Sequence, residues 1–319
     1  MSSDTDWTSA EMPSQAGRTV VVTGANSGLG FEATRAFAAK GAHVVMACRN
    51  RERAERARDA VAADYPGASL TVSDLDLADL ASVRAFVDRY ERERDVLHVL
   101  CNNAGVMATP RSETADGFET QFGVNHLGHF ALTAGLLPAL RRTTGESRVV
   151  TQSSGLHERG AIDFDDLQGE RDYDRWAAYA QSKLANLLFA YELDRRLRAA
   201  NASVKSVACH PGFADTNLQN HGDDSDRSGL RRVSFWLATR LIAQSAERGA
   251  WPMCYAATHP DVDGGAYVGP GGLFGVRGHP TVQSSSDLSR DRETARRLWD
   301  VSADLTDASH DLPSPEGDP

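Results

Sequence analysis

Short apolar runs alternate along this chain with longer stretches in which apolar positions recur every three or four residues. Residues 18–24 (RTVVVTG), 42–49 (AHVVMACR), 68–77 (ASLTVSDLDL), 96–105 (VLHVLCNNAG), 147–154 (SRVVTQSS) and 203–212 (SVKSVACHPG) are short and rich in β-branched residues. They read as strands buried on both faces. Between them lie helical patterns: residues 31–41, stopped by Gly41; 50–65, stopped by Pro66; 80–94; 118–142, read as one long helix; and the helix that begins near residue 175. Strands alternating with helices of this length predict βαβ units with right-handed crossovers. The fold expected is α/β, a single Rossmann-type doubly wound parallel sheet of about seven strands with helices on both faces.

No repeat period and no interdomain linker interrupts this order. The reading is one domain over residues 17–310, flanked by disordered tails at 1–16 and 311–319, with 217–247 as an insertion that closes over substrate as a lid. Hydrophobic residues make up 41% and charged residues 24% of the 319, enough apolar material for one large core. The formal net charge of -10 argues against nucleic-acid and anionic-membrane partners. Arginine greatly outnumbers lysine, as either a salt-tolerant surface or an arginine-favouring genome would give. The first sixteen residues lack the layout of a signal peptide, and no apolar run approaches the roughly 18 residues of a membrane span, so a cytoplasmic location is expected. Cys48, Cys101, Cys209 and Cys254 are widely spaced and read as buried thiols. No metal is expected: the acidic run Asp163, Asp165, Asp166 lacks the rest of a calcium loop, and the histidines show no ligand spacing. His157 is weighed as a residue that could touch substrate.

Two local patterns carry candidate chemistry. TGANSGLG, residues 23–30, joins the first strand to the first helix, where glycines let backbone amides approach a pyrophosphate and the helix N-terminus favours its charge. Gly24, Gly28 and Gly30, with Asn26, Ser27 and Leu29 between them, are the candidate contacts. About twenty residues on, the second strand ends in Cys48, Arg49, Asn50 rather than in an acid. Arg49 suits the 2′-phosphate of NADP, although it could equally open a charged, solvated helix. Asp76, read as ending the third strand, and the adjacent Leu77 are candidates for the adenine side. The second pattern is Tyr179 followed four residues later by Lys183, one of three lysines in the chain. Residues at that spacing share a helix face. A phenol ionises near pH 10, and a neighbouring ammonium lowers that value; bringing it to about 7 takes roughly 4 kcal/mol, which a partly desolvated ammonium and a nicotinamide cation could supply together. So tuned, it could protonate a carbonyl oxygen or deprotonate an alcohol.

Together with NNAG at 102–105, GVNHLGH around Asn125, SS closing the fifth strand, YAQSK and HPGFADT at 210–216, these motifs resemble the short-chain dehydrogenase/reductase family over residues 18 to about 216. The stretch DFDDLQGERDYDRWAAYAQSKLANLLFAYEL is similar to its retinol-dehydrogenase-like and protochlorophyllide-reductase-like branch. The resemblance implies an NADP(H)-dependent alcohol dehydrogenase or carbonyl reductase acting on a small-molecule carbonyl or secondary alcohol. It implies Tyr179 as acid/base, Lys183 lowering its pKa and holding the nicotinamide ribose, Ser154 rather than Ser153 donating to the substrate oxygen, and Asn125 holding a relay water. It further implies that Asn103, Ala104 and Gly105 line the adenosine side and that Pro211, Gly212 and Thr216 contact nicotinamide and pyrophosphate; a homodimer or homotetramer is usual in the family, with monomers also occurring. The alternative is a non-catalytic dinucleotide-binding or redox-sensing protein on the same fold, which would not need both Tyr179 and Lys183.

Overall fold

A computed structural model describes residues 6–212, 245–272 and 275–315. Eight strands form one sheet in the order β3-β2-β1-β4-β5-β6-β7-β8. They are β1 (Thr19–Thr23), β2 (His43–Cys48), β3 (Ser69–Asp74), β4 (Val99–Asn102), β5 (Ser147–Gln152), β6 (Val204–Cys209), β7 (Tyr267–Pro270) and β8 (Pro280–Gln283). Neighbours are parallel except β7 and β8, which pair antiparallel from Tyr267–Gln283 to Pro270–Pro280. The doubly wound fold expected from sequence is therefore present, with an antiparallel edge strand that its polar, proline-led four residues did not signal.

Helices cover both faces. α1 (Gly28–Ala39), α2 (Arg51–Asp64) and α7 (Ala246–Thr258) share one core with the outward side chains of β1, β2, β4 and β6. α3 (Leu80–Glu93), α5 (Gly128–Arg141), α6 (Arg175–Ala199) and α9 (Arg292–Thr306) cover the other face. Every residue of β5, in the middle of the sheet, is buried, whereas β3 at the edge is only partly covered. Most helix starts are capped by the side chain before them: Asn50, Asp79, Asp174, Ser245 and Asp291 each accept a first-turn amide. α1 differs, since Ser27 makes no such bond.

Two expectations about the chain's organisation change. The long helix over 118–142 is broken into α4 (Thr120–Phe122), a π-turn (Gly123–Leu127) and α5. The disordered tail over 1–16 does not hold for residues 6–16. Trp7 and Met12 are buried in the first core, Trp7 meets Tyr255 edge-on at 5.2 Å, and a one-turn helix at Ser9–Glu11 carries a capping box from Thr8. A single tryptophan buries enough apolar surface to pin a polar segment. At the other end, Leu312 packs on the second core. The segment 217–247 lies outside the described residues up to 244, and Ser245 starts α7 as its cap.

Candidate active site

The order of strands reverses between β1 and β4, the place where a doubly wound sheet opens a crevice at its carboxyl edge. The turns after β1, β4, β5 and β6 all emerge there, bringing the candidate residues together from four separate segments.

The turn after β1 is shaped by its glycines. Gly24 and Gly28 have φ of 67° and 54°, a region that glycine enters without strain. At Gly30 a Cβ would lie 2.4 Å from the Gly24 carbonyl oxygen and 2.6 Å from Asn103 Nδ2, so only glycine lets α1 seat against the turn. Burial pushes the Cys48 thiol, at the end of β2, up to about 12, opposed by the nearby amides of Ala25 and Asn26. With Ser27 not capping, the first-turn amides of α1 are left open to an anion. Arg49 is exposed one residue past β2, with no ion pair among the described residues, while nearby Arg51 is engaged by Glu55 and Asp74. These features fit a dinucleotide phosphate. Asp76 does not end β3, which stops at Asp74. Its carboxylate accepts the Ala78 amide at 3.0 Å, and Leu77 is buried against Gly128.

Thr23, just before Gly24, locks the turn after β4. Its hydroxyl accepts the amides of Asn103 and Ala104, each at 2.9 Å, and Asn103 Nδ2 donates to the Thr23 carbonyl. His129 extends this clamp. Its Nδ1 lies 3.0 Å from the Asn125 carbonyl, which can only accept, so Nδ1 carries the proton. Nε2, 3.0 Å from Thr23 Oγ1, then accepts, and burial that pulls the imidazole down to about 4 keeps it neutral. Neither residue was singled out for a role from sequence. Thr23 stood inside the quoted glycine motif, and His129 lies four residues past Asn125, the spacing of one helical face.

Asn125 sits inside the π-turn, and such turns recur at functional sites. Its Oδ1 accepts from the Val106 amide at 2.8 Å, and Nδ2 donates to the Val106 carbonyl and to Ser182 Oγ, each at 2.9 Å. The side chain is thus engaged by protein partners rather than turned towards a relay. Gly105, expected on the adenosine side, faces the centre instead: a Cβ there would lie 2.9 Å from Asn125 Oδ1 and 3.5 Å from Lys183 Nζ.

Tyr179 and Lys183 lie on the buried face of α6. The two serines after β5 divide their tasks. Ser153 donates to the Lys183 carbonyl at 2.8 Å, tying α6 to the sheet. Ser154 Oγ accepts the Leu156 amide, and its hydroxyl is near enough to Tyr179 to favour the phenolate. Lys183 Nζ lies 5.6 Å from the Tyr179 ring centroid and donates to the Gln152 carbonyl at 3.4 Å.

The electrostatics depart from the sequence expectation of an acidified phenol. Burial pushes Tyr179 up to about 12, opposed by the Ser154 hydroxyl. Burial likewise pulls Lys183 down to about 8. The ammonium sits beside the ring, and desolvation penalises both charged forms. Pro211 and Gly212 follow β6, Gly212 with φ 66°, whereas Thr216 lies outside the described residues. His157 is buried behind Ser154 and does not face the crevice as a substrate contact would. Among the described residues no cluster has the composition of a metal site, and no helix is long and apolar enough to cross a membrane.

The family model for short chain dehydrogenase matches residues 18–226. Polyprenol dehydrogenase of Mus musculus is 41% identical over 300 residues, covering 93% of this chain and 86% of its own. Retinol dehydrogenase 11 of Homo sapiens is 42% identical over 289 residues, covering 91% and 86%. Among solved structures, an uncharacterized protein from Mycobacterium Paratuberculosis is 42% identical with a TM-score of 0.79, covering 97% of this chain and 100% of that one. With the crevice, the clamped glycine turn and the Ser154–Tyr179–Lys183 cluster in place, the chain belongs to the short-chain dehydrogenase family, in its retinol-dehydrogenase-like branch.

Proposed function

We propose that the protein is an NADP(H)-dependent oxidoreductase that interconverts a carbonyl compound and an alcohol, with Tyr179 as the acid/base. The observation that carries the reading is Tyr179 and Lys183 together on one buried helix face, the Nζ 5.6 Å from the ring centroid, with the Ser154 hydroxyl near enough to favour the phenolate. NADP over NAD is supported by Arg49 just past β2, exposed and without an ion pair among the described residues, where the chain reads Cys48, Arg49, Asn50 rather than an acid. The printed names of the relatives, polyprenol and retinol dehydrogenases, favour an alcohol on an elongated apolar skeleton.

The α1 first turn, Gly24 and Arg49 would hold the phosphates, and Lys183 the nicotinamide ribose. When bound, the dinucleotide supplies or accepts the hydride at the substrate carbon. Ser154 donates to the substrate oxygen. In reduction Tyr179 gives its proton to that oxygen as the alcohol forms. The positive charge of Lys183 stabilises the phenolate left behind, and in oxidation Tyr179 takes the proton back.

The test is a panel of apolar aldehydes and ketones with NADPH, using wild type and Tyr179→Phe. Turnover by the wild type and a loss of about 100-fold or more in the variant, with NADPH binding retained, supports the reading. Undiminished turnover by the variant refutes the proton-donor assignment. NADPH binding without turnover of any panel member would favour a dinucleotide sensor instead.

A further inference from the structure

Against the Ser154 backbone lies a buried polar cluster that this mechanism does not use. Ser154 is the cap of a short 3-10 turn (Gly155–Arg159), and its carbonyl receives two donors from one residue. The His157 amide donates at 3.0 Å and His157 Nδ1 at 2.7 Å. A proton on Nδ1 leaves Nε2 as the acceptor, and the Ser286 amide points at it from 3.3 Å. Ser286 opens the short helix α8 (Asp287–Arg290) that follows β8. The ring is 1% exposed and stands edge-on to Tyr267 of β7 at 5.5 Å.

The same hairpin grips the end of β6. His210 stacks on Tyr267 at 5.0 Å. Its Nδ1 accepts the Gly212 amide at 3.3 Å, so Nε2 donates to Gln283 Oε1 at 3.1 Å. Gln283 Nε2 in turn donates to the Pro270 carbonyl at 2.6 Å. A Cβ at Gly269 would lie 1.9 Å from His210 Nε2, so β7 carries glycine where the ring passes. Residues 283–286 therefore reach two active-site segments, Ser154 through His157 and Gly212 through His210. The hydroxyls of Tyr267 and Ser286 are buried here without partners, a cost accepted in placing the two rings.

We propose that His157 is a positioning residue for Ser154, fixing the serine backbone against the β8–α8 turn so that its hydroxyl stays beside Tyr179, where the substrate oxygen would lie. The inference rests on the roles given above to Ser154 and Tyr179. Ser154 has one hydroxyl proton to aim, and a misplacement of about 1 Å at such a group costs on the order of 100-fold in rate. Two donors on its carbonyl remove most of that freedom.

The experiment compares His157→Leu, His157→Asn and His157→Gln, with Tyr179→Phe as control, on the panel aldehyde that the wild type turns over fastest. An asparagine amide can replace Nδ1 as donor to the Ser154 carbonyl, whereas a glutamine amide reaches the Nε2 position. Leu and Gln should each lower kcat roughly 10- to 50-fold, a fraction of the 100-fold scale above. KM for NADPH and aldehyde should stay within about threefold, and Asn should recover most of kcat. Urea midpoints are measured alongside, because a purely structural histidine would make kcat follow stability rather than donor position. Ser286→Pro removes the amide that faces Nε2 at a residue whose φ of -62° proline accepts. It should lower kcat about threefold or more, a weaker form of the same misplacement, without lowering the midpoint. His157→Leu with wild-type kcat, or Asn and Gln equally impaired in step with their midpoints, overturns the proposal while leaving the Tyr179 reading intact. A fully active Tyr179→Phe, or no turnover by the wild type, fails the underlying reading and this one with it.

Discussion

Replacing Lys183 with methionine should stabilise the fold while removing activity, and the pH dependence of that gain identifies its cause. Lys183 is 4% exposed, and burial holds its ammonium at about 8 against an ordinary 10.5. The unfolded chain therefore binds this proton more tightly than the folded one. Below pH 8 the folded protein carries the whole cost, and the cost fades as pH rises towards 10.5. The gap corresponds to about 3 kcal/mol. Contact of the ammonium with the Tyr179 ring returns about 1 kcal/mol, which methionine forfeits. The net gain at pH 7 is then about 2 kcal/mol, or roughly 3–6 °C in Tm for a domain of this size. At pH 10 the folded lysine is neutral, most of the cost is gone, and the two proteins should differ by less than about 1 kcal/mol. Urea titrations of both, followed by tryptophan fluorescence at pH 7 and pH 10, read the difference directly, because every other titrating group is common to the pair. A variant less stable than wild type at pH 7, or a gain of equal size at both pH values, would refute the reasoning.

Three further outcomes follow from single contacts. Gly30→Ala should abolish NADPH binding, measured by fluorescence quenching, because its Cβ would strike the Gly24 carbonyl and Asn103 together. Arg49→Ala should weaken NADPH about 10-fold or more while changing NADH less than about threefold, with a stability change within about 0.5 kcal/mol, since the side chain is exposed and unpaired. Trp7→Ala should cost roughly 3–5 kcal/mol in urea titration, because the indole is buried in the first core against Tyr255; a disordered tail would show no change.

What could be read from the sequence depended on whether a signal was local. The β1 turn, NNAG and the Tyr179–Lys183 pair are each carried by a few consecutive residues, whereas the division between the two serines, Ser153 donating to the Lys183 carbonyl and Ser154 accepting the Leu156 amide, is a matter of three-dimensional placement. The π-turn at Gly123–Leu127 was invisible because its apolar spacing continues that of α5, and the register shift concerns backbone bonds. The order at residues 7–16 was missed because one buried tryptophan sits in a polar segment, and its partners Tyr255 and His279 are far along the chain. The link from His157 to Ser286 spans 129 residues, so no spacing rule could suggest it.

The direction of the phenol's shift could not be read from the pair spacing either, and it changes how the site must work. A tyrosine and a lysine four residues apart suggest a cation acidifying a phenol, yet the helix face that brings them together is also the one that removes them from water. Desolvation then acts on both, raising Tyr179 to about 12 and lowering Lys183 to about 8. At pH 7 the protein holds a protonated phenol, a proton donor already in place for a carbonyl substrate. For alcohol oxidation the phenolate must form first, and the 5-unit gap from pH 7 corresponds to about 7 kcal/mol. Lys183, beside the ring, supplies part of that stabilisation while it is charged. Added positive charge in the crevice would have to supply the rest. The prediction is a directional asymmetry: carbonyl reduction should hold its rate from pH 6 to 8, while alcohol oxidation should climb about tenfold per pH unit over that range, as expected for an acid titrating well above it. Initial rates in both directions, with cofactor saturating at each pH, decide it. An oxidation rate flat from pH 6 would mean that the bound state acidifies Tyr179 below neutrality and that the shift produced by burial does not govern catalysis.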